Sequence, residues 1–86
     1  MSVDGVEVAI GSLKMAEEGN GVILRLYESH GARGEALLRF AHGVESAERV
    51  NLLEETEGPV EVREGVVRLG VRPFEVVTLR LELTGL

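Results

Sequence analysis

The chain has no cysteine, no tryptophan and no glutamine, and its 86 residues include one lysine, one aspartate, two prolines and three aromatic side chains. Each shortage closes a route. Without cysteine there is neither a disulfide framework nor a thiolate metal centre, and the redox compartment stays open, with cytoplasm the default. Tyr27, Phe40 and Phe74 are the whole aromatic complement, too few for the flat platforms that a sugar-binding face offers. Phe40 and Phe74 read as core, and Tyr27 is the one candidate for contact. The lone aspartate, Asp4, and the two histidines, His30 and His42, fall short of the three or four converging ligands that zinc requires, unless strand-edge glutamates join them. Both histidines sit beside glycine in expected loops and read as solvated. The sequence therefore assigns no catalytic, cofactor-binding or metal-binding residue.

Positive charge is also scarce. A formal net charge of −6 repels phosphate backbones, and the arginines are scattered rather than gathered in a stripe, so nucleic acid is excluded as an expected partner. No basic amphipathic helix is present to lie on a membrane surface. No run approaches the roughly 18 apolar residues that cross a bilayer, and no leader peptide opens the chain, which reads as soluble and unexported. A single lysine with two asparagines and no glutamine is a thermophile-like balance. Apolar residues at 44% with charged residues at 28% suit one folded domain over residues 1–86, with no linker or repeat inside it.

What the chain does have is a period of two, punctuated by glycine every eight to twelve residues. That pattern predicts short strands. Val6–Ile10 alternates, and Ser12–Ala16 extends the same edge after Gly11. Glu17–Gly21 supplies a hairpin turn into Val22–Glu28, and "SHGARG" leads on to Glu35–Phe40. Ser46–Glu55 is ambiguous: Glu48, Leu52 and Glu55 fit helical spacing, but its alternation favours extended chain. Glu57–Pro59 reads as a turn, and Val60–Val71 as a hairpin folded at Glu64 and Gly65. Pro73 opens a strand from Phe74 in which Val77, Leu79, Leu81 and Leu83 face one way. Seven or eight such strands in one flat sheet would leave an apolar face wet, so the expected fold is an all-β, two-layer antiparallel β-sandwich. A small barrel is the alternative.

Other chemistry is thinly represented. The acidic run Leu52–Glu57 reads as an exposed loop with at most weak cation attraction. Ser2, Ser12, Ser29 and Ser46 lack a nucleophile elbow, and Gly31–Gly34 lacks the helix that completes a phosphate loop. Arg25 lies on a strand apolar on both faces. A covered guanidinium without a carboxylate costs about 3 to 5 kcal/mol, so Arg25 is expected to fork onto Glu28 or Glu54 rather than bind a ligand.

Three motifs in order carry a resemblance: "SLKMAEEGNGVILRLYE", then "RVNLLEE", then "RPFEVVTLRLEL". Together they resemble the C-terminal β-domain of zinc-dependent retaining α-mannosidases of the glycoside hydrolase family 38 type, across residues 12 to 83. Glu28 and Ser29 depart from the asparagine and proline found in many relatives. The resemblance implies that zinc and the catalytic aspartate belong to a separate catalytic domain, and that no such residue carries over to this chain. It implies a non-catalytic accessory role, packing on and stabilising the catalytic region of an α-mannosidase, in cis or as a separate chain. A homodimer through an exposed apolar face follows if that neighbour is missing. The other reading is a free-standing interaction module with weak carbohydrate affinity.

Overall fold

The computed structural model describes residues 2–15, 21–40 and 43–83. Eight strands follow one another: β1 (Ser2–Gly5), β2 (Ala9–Met15), β3 (Gly21–Tyr27), β4 (Gly34–Arg39), β5 (Val44–Val50), β6 (Thr56–Arg63), β7 (Val66–Val71) and β8 (Val76–Leu83). No helix occurs among the described residues, so none is long and apolar enough to cross a membrane. All pairings are antiparallel, and the strands form one curled sheet in the order β1-β4-β7-β6-β5-β8-β3-β2.

The curl is made by β6. Its first half pairs with β5, from Val50↔Thr56 to Ala47↔Val60, and its last three residues, Glu61–Arg63, pair with β7. One strand thus belongs to both layers of the expected sandwich, β1-β4-β7 on one side and β5-β8-β3-β2 on the other. Alternation fills the space between them. Val22, Leu24 and Leu26 of β3, with Val77, Leu79 and Leu81 of β8, join Ala36 and Leu38 of β4 and Val67, Leu69 and Val71 of β7 in a single core cluster. Burying a leucine or valine side chain in this way contributes about 1.5–3 kcal/mol.

Several expectations are corrected at the level of elements. Val6–Ile10 is not one strand: β1 ends at Gly5, residues 6–8 cross between layers with Val8 buried, and β2 starts at Ala9. Gly5 makes the crossing possible. Its φ is +82°, and a Cβ there would lie 2.3 Å from the Glu35 carbonyl oxygen, a position that only glycine tolerates. Residues 46–50 are extended as expected, but 51–55 form a turn in which the Asn51 side-chain oxygen accepts from the Leu53 and Glu55 amides. Glu57–Pro59 is strand rather than turn. Proline is tolerated because this half of β6 has only β5 as a neighbour, leaving one side of its backbone unbonded. The Glu64–Gly65 turn stands as expected, with both residues at positive φ. The expected turn at residues 17–20 and His42 lie outside the described residues.

Candidate functional site

Glu28 follows β3 directly and is 2% exposed. Its Oε1 accepts from the amides of Gly31, at 2.7 Å, and Phe74, at 2.9 Å, and its Oε2 from the His30 amide at 2.9 Å. The loop considered for phosphate binding is therefore a nest of amides occupied by the chain's own carboxylate. Burial opposes ionisation of Glu28, but the hydrogen bonds from the Phe74, Ala32, His30 and Gly31 amides outweigh it and lower the pKa from 4.5 to about 2. Four oriented donors favour the charged form over the neutral one.

The same carboxylate ties down the turn at residues 72–75. There the Glu75 amide donates to the Arg72 carbonyl, and the Arg72 amide donates to Glu75 Oε1. Glu75 Oε2 lies 3.2 Å from Arg49 Nη1, while Arg49 Nη2 donates to the Gly70 carbonyl in the opposite layer. Phe74 takes φ +59°, where a turn after proline ordinarily holds glycine or asparagine. Such a backbone costs of the order of 1–3 kcal/mol. The ring stacks beside Gly31, whose added Cβ would meet it at 3.1 Å, and remains 69% exposed. Phe74 is therefore not core, because its carboxylate-held amide points the residue out at the end of the sandwich. Phe40 does pack against the core as expected.

On the outer face of the second layer, Arg25 does not pair with Glu28 or Glu54. Glu54 lies 3.3 Å from Arg80 Nη2 and 3.5 Å from Lys14 Nζ, and Arg80 Nη1 is 3.6 Å from Glu48. Register explains the difference: Lys14, Ile23, Arg80 and Glu48 form one cross-strand row, whereas Arg25 stands in the next row with Ser12 and Thr78. The turn at 51–55 lays Glu54 over the first row, beside Lys14 and Arg80. Arg25 is half-buried on a central strand, as expected, and its Nε has no hydrogen-bond partner.

The edge formed by β2 is open. Ile10, Leu13 and Met15 are in register with Leu26, Leu24 and Val22, so they share the inward face, yet they are 50%, 63% and 62% exposed. The layer opposite does not reach over them. A groove of about 110 Å³ runs between Ile10, Leu13, Val22, Leu24, Phe40 and Leu83. A wider cavity of about 390 Å³ lies at the other end, lined in part by Arg49, Asn51, Glu57, Glu75 and Val76, with its arginine and Glu75 already joined to each other.

The remaining candidates stay dispersed. His30 is exposed and 3.8 Å from Glu7, Asp4 is bound to Arg39, and Ser2, Ser12 and Ser46 lie on three different strands. No three potential metal ligands converge among the described residues. Glu28 was overlooked as an anchor; its signal in the sequence is a carboxylate directly after a strand apolar on both faces and three residues before a glycine.

Fold and site together define an all-β sandwich domain with an internally satisfied acidic latch and an uncovered apolar edge. The chain belongs to the family described as the glycosyl hydrolases family 38 C-terminal beta sandwich domain, which matches residues 7–79. It is 32% identical over 87 residues to alpha-mannosidase 2C1 of Homo sapiens, an alignment covering 95% of this chain. The chain spans about 8% of the length of that relative.

Proposed function

We propose that the chain serves as a non-catalytic structural domain of an α-mannosidase-like glycoside hydrolase, packing on the catalytic part, in cis or as a separate chain, and stabilising it. The observation that carries this reading is the inward-facing row Ile10, Leu13 and Met15, left exposed beside an apolar groove. Apolar surface of this kind marks an interface with another body of protein. Membership in a C-terminal domain family, and alignment with a small fraction of an α-mannosidase, support a neighbour that bears the chemistry. Zinc, where the enzyme uses it, belongs to that neighbour. Cytoplasm is taken as the default location, since a chain without cysteine leaves the redox compartment open.

The test is to prepare the α-mannosidase-like catalytic polypeptide with and without this domain. Melting temperature and hydrolysis of p-nitrophenyl α-mannoside are then measured. With the domain present, the melting temperature rises and activity survives heating longer. Turnover by this chain alone, or identical stability with and without it, overturns the proposal.

A further inference from the structure

The end of the sandwich that carries Phe74 breaks three local rules at once. An aromatic side chain occupies a positive-φ position, where bulky residues are genuine outliers. A buried carboxylate is committed to holding that position through the Phe74 amide. The ring so fixed then lies mostly in solvent instead of joining the core. Strain that the surroundings over-determine is characteristic of sites that meet something else, and a rigid exposed aromatic is the usual form of an interface anchor.

Charge indicates what it meets. Gly34 is paired with Val71, so Arg33 and Arg72 follow directly at the open end of the β4–β7 ladder, one opposite the other. Like charges in facing positions repel. Both are exposed, and neither is in an ion pair among the described residues. Three of the carboxylates near them have other partners: Glu28 is held by amides, Glu75 by Arg49 and the Arg72 amide, and Glu35 by Arg68. In a chain of net charge −6, this tip carries two facing guanidinium groups that no carboxylate among the described residues pairs with.

The geometry points to the Phe74 tip, flanked by Arg33 and Arg72, as a second docking element that inserts into an apolar pocket rimmed by carboxylates on the catalytic part. This rests on the structural-domain reading and adds a site to it. The groove along β2 supplies apolar contact, whereas the tip sets orientation and partner choice, because complementary charge governs encounter and specificity. A neutral sugar would not call for two unpaired guanidinium groups.

The test titrates the purified α-mannosidase-like catalytic polypeptide with this chain and its variants. Phe74→Gly removes the ring and suits the backbone, so the domain's own melting temperature holds or rises while affinity falls about tenfold or more. Should that variant fail to fold, Phe74→Asn keeps a residue that tolerates positive φ. The Arg33→Glu, Arg72→Glu double variant keeps its melting temperature and loses the salt-sensitive part of association. Wild-type affinity in Phe74→Gly, with association intact, overturns the tip assignment and leaves the structural-domain reading in place. No association of the unaltered chain overturns both. Saturable movement of the Phe74 ring resonances by methyl α-mannoside assigns the tip to sugar and overturns the protein partner.

Discussion

Glu28 has no guanidinium beside it; its charge is balanced by backbone amides from two separate segments, residues 30–32 and 74. Because its folded pKa lies near 2 and the free value is 4.5, the unfolded chain takes up the proton first as pH falls. The stabilisation is therefore complete above about pH 4.5 and disappears progressively towards pH 2. Urea midpoints measured across that range for the native chain and for Glu28→Gln are expected to converge at the acid end, with the variant weaker at neutral pH. A constant gap between the two curves shows that the carboxylate is not the latch. At this scale the sequence was only partly legible. Alternation correctly assigned Leu24, Leu79 and Leu81 to the core and Arg25 to a half-covered position. It misassigned the partners, because a carboxylate that binds amides and one that binds arginine look alike in a string of letters. Phe74 was misread for a related reason: its placement is dictated by a contact 46 residues away, and hydrophobicity carries no trace of that.

At the scale of elements, β8 is the strand on which the second layer depends, since it lies between β5 and β3 and pairs with both. Leu79 at its centre is fully buried, and Leu79→Ala is expected to cost about 2–5 kcal/mol. A domain of this size has roughly 0.05–0.15 kcal/mol of stability per residue, so the variant approaches global unfolding. Chemical denaturation followed by circular dichroism measures the loss; a change below about 1 kcal/mol would mean that the core repacks. Strands β3, β7 and β8 were visible from alternation and glycine punctuation, as was the turn at Glu64 and Gly65. β1 and the break at residues 6–8 were not, because Val6 and Val8 keep an apolar rhythm while the backbone changes layer. The second half of β6 was visible as the first arm of the hairpin at Glu64 and Gly65; its first half was hidden by Pro59, whose meaning depends on whether a neighbour occupies its unbonded side.

For the molecule as a whole, strand number and the need to cover an apolar face were enough to indicate two layers. They did not reveal that the second layer ends in an uncovered edge, because edge and centre strands share the same alternation. The isoelectric point is near 4.9, and loss of net charge removes the repulsion that keeps exposed apolar edges apart. Self-association of the isolated chain through this edge is expected to be weaker at pH 8 and to strengthen as pH approaches that value. Leu13→Lys, which places a charge on the exposed row, is expected to abolish the effect in sedimentation velocity. Association that persists unchanged in the variant locates the contact elsewhere. β6 also has a mechanical bearing on all of this. Because its two halves are stitched to different sheets, neither sheet can peel away without tearing the bonds of the other. Edge strands such as β1 can be stripped singly, but parting the two layers means breaking a ladder of β6 itself.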